Sequence, residues 1–464
     1  MLPLENLSGD KEQEYFADGM TDELITNLGK ISALRVISRQ SMMRYKATKK
    51  SLPEIARELN VDGIVEGTVQ RSGDRVRVTA NLLHAPTDRH LWAESYERDL
   101  RDALALQNDV ARAIANEIQI KLTPQEHAQL VRARPVNPEA HELYLKGNDR
   151  LRRGDPKKAL EYFQQATQKD PDFARAYLGI AWVYDILGAD IGLASVEAYA
   201  KEKGISRKAL ELEAYAKEKA FARKALELDD SLAEAHVVLA YGLWYGDWDW
   251  SGCEREIKRA LEINPNSVSA RSIYNGYLSF VDRPEESIAE ARRALEINPL
   301  VAEPYFRMGL AYYYARRYDE ALAEFEKVKS LEKNPSELLP LDLGWAYAGK
   351  GMYKEAIAKF LQMPETSFTL GSLGNAYARA GNKLEAQKIN QKLAEKSARE
   401  HWGNYDLGVI YAGLGEKDKA FQSLEEAYRV HDGWLSRMKV DPPLDPLRSD
   451  PRYQDLLRRM NFPP

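Results

Sequence analysis

Histidine and carboxylate side chains could do chemistry in this chain only if their spacing brought them together. The seven histidines are scattered along the sequence: His84, His90, His127, His141, His236, His401 and His431. None is spaced as a pair of metal ligands on one helix would be, and the chain has no GxxxxGK[ST], HRD, DFG, HExxH or GxSxG motif. The sequence therefore predicts no catalytic residue, no metal site and no bound cofactor.

The local clusters of charge and the single thiol have structural explanations. Asp18, Asp22 and Glu23 stand together where a helix is predicted to start, and carboxylates there stabilise free amides and the helix dipole. The basic run between residues 35 and 50 is interpreted as a solvated face, with contact to an acidic partner as the less favoured alternative. Cys253 occupies a position that needs a small residue, so packing accounts for it.

Composition limits the class of protein. With 464 residues the chain is too long for one compact core, and its formal net charge of -5 gives no reason to expect a nucleic-acid partner. No apolar run reaches the length needed to span a bilayer, and the opening MLPLENLSGD does not look like a signal peptide. We expect a cytoplasmic protein, or a periplasmic one if the native chain has an upstream membrane anchor.

Residues 302–335 show the unit from which most of the chain is built. Apolar side chains at helical spacing give one face to each of two helices: Tyr305, Met308 and Tyr312 on the first, and Ala321, Phe325 and Val328 on the second. Gly309 lets the two backbones approach closely, and Pro335 ends the unit. One such hairpin cannot bury its own apolar face, so it needs copies on both sides.

Copies of this unit extend over residues 140 to 432. The position that takes Gly309 recurs along the chain as Gly147, Ala181, Tyr241, Asn275, Gly344, Gly374 and Gly408. This pattern resembles the tetratricopeptide repeat (TPR) family, whose period is 34 residues. The resemblance implies a mainly α protein with a right-handed α-α superhelix of about eight repeats. Tyr241 and Asn275 depart from the small-residue rule, and the second repeat is expanded.

Residues 1 to 122 lack this period and predict a small α/β (α+β) domain. Its sheet should be largely antiparallel, with helices on one face. Helices are predicted at 20–30, 51–59 and 104–122, and strands at 34–38, 63–69, 75–82 and 90–96. The third of these helices carries Leu106, Val110, Ile114 and Ile118 on one stripe. Ser51 and Glu54 have capping-box spacing, and Ser72-Gly73-Asp74 reads as a hairpin turn.

This first domain is similar to a bacterial module. LPLENLSGDKEQEYFADGMTDELITNL and YKATKKSLPEIARELNVDGIVEGTVQRSGDRVRVTANLL resemble the N-terminal domain of TolB and the related FlgO-like domain. In bacteria the module often precedes a TPR array in signalling chains that begin with a protein kinase, a cyclase or a winged-helix domain. Because Met1 falls inside the family's first strand, either that strand is short here or the chain is a fragment of a longer protein.

Three further segments divide the chain. Residues 123–139 are polar, contain three prolines and predict a linker. Near residues 188–216 the phrases EAYAKEK and RKALEL occur and then recur 16 residues later. We assign the second copy to a packed TPR helix and the first to an insertion, either a solvated extension or a separate helix broken near Gly204. Residues 433–464 stop repeating and predict a cap over the last repeat.

The TPR resemblance implies that the first helix of each pair lines a concave groove that takes a protein or peptide partner. The side chains expected there are Tyr144, Asn148, Trp182, Tyr245, Phe306, Tyr313, Trp345, Asn375 and Tyr405. Exposed aromatic patches of this kind favour a peptide or a helix. The alternative for each residue is that it packs in the core. The aromatic cluster of Trp244, Tyr245, Trp248 and Trp250 is interpreted as a packed corner rather than a ligand site.

Two functions remain open. The first is a non-catalytic scaffold that binds partner proteins through the groove. The second is the regulatory or sensor half of a bacterial signalling protein, a kinase, an adenylate cyclase or a winged-helix transcription regulator, whose output domain is absent from this chain. The partner's identity and the oligomeric state are not predicted.

Overall fold

The computed structural model describes residues 1–46, 48–131, 134–188, 207–331, 338–400 and 403–463. The chain is mainly α, as predicted. A small four-stranded sheet with its helices comes first, and eight pairs of helices follow.

The N-terminal sheet is formed by β1 (Glu5–Asn6), β2 (Gly63–Ser72), β3 (Arg75–His84) and β4 (Arg89–Asp99), in that order. The short β1 runs parallel to β2, and the other pairings are antiparallel. Its helices are α1 (Glu14–Gly29), α2 (Arg39–Met42), α3 (Leu52–Leu59), α4 (Ala103–Glu117) and α5 (Pro124–Val131). The predicted hairpin is present, and Ser51 and Glu54 form the predicted capping box.

The core of this domain lies between the sheet and two helices. Met20 of α1, Leu106 of α4 and Val78 of β3 are fully buried in one cluster. The same cluster contains Leu145 from the first helical pair and Leu130 from α5. The N-terminal domain and the helical array therefore share apolar contacts.

One prediction for this region was wrong. Residues 34–38 form no strand; instead the amide of Ser38 donates to the carbonyl of Ile297 at 2.9 Å, and the amide of Val36 donates to Oδ1 of Asn266 at 3.1 Å. The segment is extended because it binds the helical array rather than the sheet. The polar stretch predicted to be a linker contains α5, whose Glu126 accepts from the amide and hydroxyl of Ser32.

Eight helical pairs follow, and we number them as repeats 1 to 8. Repeats 1 to 4 are α6 and α7 (Pro138–Arg152, Pro156–Lys169), α8 and α9 (Ala174–Gly188, Arg207–Leu228), α10 and α11 (Ala233–Asp247, Trp250–Ile263), and α12 and α13 (Val268–Phe280, Pro284–Ile297). Repeats 5 to 8 are α14 and α15 (Glu303–Tyr314, Tyr318–Leu331), α16 and α17 (Leu339–Gly349, Tyr353–Phe360), α18 and α19 (Ser367–Arg379, Lys383–Glu400), and α20 and α21 (Asn404–Leu414, Lys417–Arg429).

Packing within a pair explains the recurring glycine. The Phe163 ring of α7 lies so close to Gly147 of α6 that a Cβ there would stand 2.5 Å from the ring. Proline at the first turn of α7 and a side-chain cap from Asp155 begin the second helix. The same relation links Gly309 with Phe325 and Gly344 with Phe360. A side chain at the glycine would separate the two helices.

The near-duplicated segment is described only in part. Its second EAYAKEK copy lies in α9, where Ala214, Tyr215 and Glu218 are buried, so this copy belongs to a packed helix. The first EAYAKEK copy and Gly204 lie outside the described residues.

The C-terminal segment, which we call the cap, contains two 3-10 turns (Gly433–Arg437 and Pro442–Leu447) and α22 (Pro451–Arg459). Tyr453 and Leu456 of α22 pack on Leu424 and Ala427 of repeat 8, as expected of a cap.

The cap also folds back along the inner side of the array. Nε1 of Trp250 in repeat 3 donates to the carbonyl of Met460 at 2.8 Å, and Nη1 of Arg316 in repeat 5 donates to the carbonyl of Val440 at 2.7 Å. The Trp248 ring stacks on His431, with ring centroids 3.8 Å apart. The array is thus fastened to its own C-terminus.

Asparagines in the loops between repeats hold the N-terminal domain. Nδ2 of Asn266 donates to the carbonyls of Gly29 and Leu34 at 3.0 and 2.9 Å, while its Oδ1 accepts from Val36. One repeat further on, Oδ1 of Asn298 accepts from the hydroxyls of Ser38 and Ser41. These contacts fix the domain against the loops that precede repeats 4 and 5.

Replacing Asn266 with alanine should therefore loosen the N-terminal domain. The substitution removes three hydrogen bonds from a half-buried position, which we expect to lower the free energy of unfolding by about 2 kcal/mol. Limited proteolysis should release the N-terminal domain faster than in the wild type. Asn116→Ala, at an exposed position of α4, is the control. Equal cleavage rates for the two variants would show that these bonds do not hold the domain.

Candidate protein-binding channel

The first helices of repeats 3 to 7 and the cap enclose a cavity of about 280 Å³, which we call the aromatic chamber. Its wall is mostly aromatic: Tyr241, Trp244, Tyr245, Phe280, Phe306, Tyr314, Trp345, Phe368 and Trp434. The side chains come from successive first helices because each of these helices turns the same face inward. An aromatic wall of this kind binds apolar and π-stacking groups.

Several polar side chains face the aromatic chamber, among them two arginines that form ion pairs. Nε of Arg307 lies 3.0 Å from a carboxylate oxygen of Glu303, and Nε of Arg437 lies 3.4 Å from Oδ2 of Asp441. Among the described residues, Oδ2 of Asp342, Nε1 of Trp244 and Nε of Arg437 are buried without a hydrogen-bond partner. Burial raises the pKa of Asp342 well above its ordinary value.

Arg437 is the residue through which the cap engages the groove. Its guanidinium lies 4.7 to 5.2 Å from the ring centroids of four aromatic residues, Trp345, Phe368, Tyr405 and Trp434. The Trp434 ring also stacks on Phe368, with centroids 4.2 Å apart. Cation–π attraction is strong in such a desolvated setting. The cap is therefore held inside the groove by its own arginine and tryptophan.

Toward the N-terminal domain the channel continues as an interdomain cleft between α1 and repeats 1 to 4. Two adjoining pockets of about 390 and 540 Å³ make up this cleft, and both are lined by Asp22, Trp182 and Glu234. Tyr241 and Arg307 line the larger pocket and the aromatic chamber alike. The chamber and the cleft therefore form one channel with an aromatic end and a charged end.

A buried ion pair crosses the base of the cleft. Nη1 of Arg175, in repeat 2, lies 2.6 Å from Oε1 of Glu23, in α1. Burial by itself would raise the pKa of Glu23, but the charge of Arg175 opposes it, and the pKa is lowered to about 2. Glu23 therefore carries a full negative charge at neutral pH.

Two carboxyl groups in repeat 2 have raised pKa values, in contrast to Glu23. Burial raises the pKa of Asp185, which lines the cleft, to about 7. Burial and the nearby Asp185 raise the pKa of the fully buried Glu218 well above its ordinary value. The Asp185 carboxyl is therefore largely uncharged below neutral pH.

The structure places six of the nine predicted groove residues on the channel. Tyr144, Asn148 and Trp182 line the interdomain cleft. Tyr245, Phe306 and Trp345 line the aromatic chamber. All six are half-buried, so each packs on one side and faces the channel on another.

The other three predicted residues are buried and are not available to a partner. The hydroxyl of Tyr405 donates to Oδ2 of Asp441 at 2.5 Å, because the cap covers this end of the groove. Nδ2 of Asn375 donates to the backbone carbonyl of Val409 in the next repeat at 2.7 Å. The Tyr313 ring is 3% exposed and stacks on Trp345, with ring centroids 6.0 Å apart.

Sequence reasoning missed several groups that line the chamber. Tyr241 was recognised only as a departure from the small-residue rule, yet its ring joins the chamber to the cleft. Trp434 and Arg437 lie in the non-repeating C-terminal segment, where no period could assign them to the groove. Asp342 begins an apolar first helix, and an isolated acid in that setting was the available signal.

The described part of the chain holds no group of three or more histidine, cysteine, aspartate or glutamate side chains arranged to bind a metal ion. Cys253, predicted to serve packing, is fully buried. Among the described residues, none of the helices has the length and apolar character needed to cross a membrane.

Family models agree with the helical pairs. Models of the tetratricopeptide repeat match residues 144–190, 302–335 and 403–430. These stretches fall in repeats 1 and 2, repeat 5 and repeat 8. Tetratricopeptide repeats indicate a protein-interaction scaffold.

Curated relatives resemble part of the chain. A Rhizobium meliloti (strain 1021) protein whose name assigns it to the adenylate cyclases is 34% identical over 216 residues, which is 46% of this chain and 37% of that protein. A Mycosarcoma maydis protein named as a small glutamine-rich tetratricopeptide repeat-containing protein is 29% identical over 109 residues, 23% of this chain and 30% of that protein. The chain spans about a third of the length of these relatives.

Solved structures are similar to parts of the chain at low sequence identity. A tetratricopeptide repeat protein from Parabacteroides merdae is 15% identical with a TM-score of 0.42, covering 61% of this chain and all of that one. A monomeric mutant of IFIT1, solved with Gppp-AAAA, is 16% identical with a TM-score of 0.44, covering 70% of this chain and 76% of that one.

Proposed function

We propose that this chain, which carries tetratricopeptide repeats, is a non-catalytic scaffold that holds a partner protein by a peptide segment laid in its channel. The observation that carries the proposal is the continuity of the channel from α1 to the cap. Half-buried aromatic rings such as Tyr245 and Phe306 line it, and such rings serve as binding hot spots. The net charge of -5 supports a protein partner over a nucleic acid.

The N-terminal domain contributes one wall of the site in this proposal. Asp22 and Thr26 of α1 line the interdomain cleft opposite Trp182. A peptide in the channel would therefore touch both parts of the chain. The proposal keeps the division into an N-terminal domain (residues 1–122), a linker (123–139), the helical repeats (140–432) and the cap (433–464). It also keeps a cytoplasmic location.

A second candidate function is the regulatory or sensor half of a bacterial signalling protein. The observation that favours it is the similarity to the Rhizobium meliloti protein named as an adenylate cyclase, of which this chain covers 37%. The resemblance of residues 1–122 to the TolB N-terminal and FlgO-like module supports the same function. In that case the scaffold would deliver a partner to an output domain, and the channel would keep its role.

A pull-down tests channel binding. The full chain carrying Tyr245→Ala and Phe306→Ala should recover its partner from native lysate at least about tenfold less well than the wild type, because each ring contributes contact area to the chamber. Tyr162→Ala is the matched control, since Tyr162 is half-buried on the second helix of repeat 1 and lines no part of the channel. Equal recovery by all three chains, with unchanged helical content by circular dichroism, would place the partner elsewhere.

A further inference from the structure

The aromatic chamber has unsatisfied polar groups that define what it can take. Asp342 is 4% exposed, lines the chamber, and its Oδ2 accepts no hydrogen bond from the described residues. Trp244 is 2% exposed, lines the same chamber, and its Nε1 donates to none of them. Buried polar atoms in proteins are nearly always paired, so an acceptor and a donor left open in one cavity point to a missing occupant.

The charges of the chamber wall favour a cation. Each arginine in the wall has its own carboxylate, Glu303 for Arg307 and Asp441 for Arg437. Aromatic faces, which carry partial negative charge, share the remaining surface with aliphatic side chains such as Ile273 and Leu310. The electrostatics therefore suit an ammonium or guanidinium group.

The chain itself shows that these rings hold a cation. Trp345, Phe368 and Trp434 line the chamber and surround the Arg437 guanidinium at 4.7 to 5.2 Å. Arg437 is only 5% exposed, so its charge is stabilised by rings and by Asp441 rather than by water. Trp244, Tyr245 and Asp342 also line the chamber and supply the same kinds of group, aromatic rings and a carboxyl.

We propose that the aromatic chamber binds a basic side chain, lysine or arginine, of the partner peptide, with its cationic group at Asp342 and among the surrounding rings. This inference rests on the proposed function and names the chemistry that the channel would recognise. A peptide is favoured over a free amine because Nε1 of Trp244 needs an acceptor. A backbone carbonyl supplies that acceptor, and an alkylamine does not.

The proposal predicts that binding depends on pH. Burial raises the pKa of Asp342 well above its ordinary value, so pairing its carboxylate with a cation is coupled to loss of a proton. Affinity should then increase as pH rises. The other charged and titratable groups of the chamber are Glu211, Tyr215, Tyr241, Tyr245, Arg307, Tyr314 and Arg437. Burial raises the pKa values of the tyrosines, which therefore stay neutral.

Three small probes test the inference on the full chain by saturation-transfer NMR. N-acetyl-lysine N-methylamide carries the cation and backbone carbonyls, N-acetyl-norleucine N-methylamide lacks the cation, and n-butylammonium lacks the backbone. We expect the lysine probe to bind best, more tightly at pH 8 than at pH 6. Asp342→Asn, which keeps the side chain's shape, should weaken the lysine probe about tenfold and remove the pH dependence. The norleucine probe should bind both chains equally.

The outcomes separate this inference from the proposed function. If the lysine and norleucine probes bind the wild type equally, the chamber is an apolar pocket and the inference that it recognises a cation is wrong. The proposal that a peptide binds in the channel is not affected by that result. If n-butylammonium binds as tightly as the lysine probe, a free amine is sufficient, and the inference that the cation belongs to a peptide is wrong. If Asp342→Asn binds the lysine probe as the wild type does, Asp342 is not the partner of the cation. Failure of the Tyr245 and Phe306 pull-down would instead overturn the proposed function.

Discussion

Replacing Arg437 with methionine is expected to lower the free energy of unfolding by about 3–5 kcal/mol. The arginine is 5% exposed, and its charge is balanced by Asp441, which is 2% exposed. Methionine would fill much of the space but would leave the carboxylate buried without its cation. The hydroxyl of Tyr405 would remain as a hydrogen-bond donor to Asp441 and could not neutralise it.

Urea unfolding followed by circular dichroism measures this effect. Arg458→Met is the matched control, because that side chain is 80% exposed and should change stability within experimental error. The double variant Arg437→Met with Asp441→Asn should recover part of the loss, since no buried charge is left unpaired. A single variant as stable as the control would show that the cap is not anchored by this residue.

Replacing Arg175 with methionine should also cost about 3–5 kcal/mol, and this loss should depend on pH. In the wild type, Glu23 has its pKa lowered from 4.5 to about 2, so its ion pair adds stability that is fully present above pH 4.5. That stability disappears as pH falls from 4.5 toward 2. Without Arg175, burial would raise the pKa of Glu23 instead. The difference between variant and wild type should therefore shrink as the solution is acidified.

The measurement is a series of urea unfolding curves between pH 7 and pH 2.5. Glu23→Gln in the Arg175→Met background serves as the control, because it removes the unpaired charge and should restore much of the stability at pH 7. A destabilisation that stays constant over this range would mean that Arg175 acts by packing and not by pairing with Glu23.

The elements that follow a period could be predicted from the sequence. About eight repeats were expected and the described residues form eight helical pairs, because a small residue such as Gly147 faces a ring such as Phe163 in several of them. The capping box at Ser51 and the hairpin at residues 72–74 also followed from local chemistry. Local rules succeeded wherever a contact lay within one helix, hairpin or helical pair.

Contacts between distant segments could not be predicted in this way. The strand expected at residues 34–38 has the right residue types, but its hydrogen bonds go to Asn266 and Ile297, more than 200 residues away in sequence. Asn266 looked only like part of a turn signal. The cap has no period, so nothing placed Arg437 among the rings of repeats 6 to 8. Tyr405 and Tyr313 consequently seemed to face an open groove.

The hydrogen bond from Trp250 to Met460 joins repeat 3 to the cap, so this part of the array is closed by a contact with its own C-terminal segment. In an array without such a contact, each helical pair touches only the neighbouring pairs, so the superhelix can extend and open to admit a binding partner. In an array closed by its cap, the width of the channel is fixed. Under the proposed function, the partner would enter such a channel as an extended segment, either a chain end or a flexible loop. A closed array of this kind would bind an extended segment of its partner and would not bind the partner's folded domain.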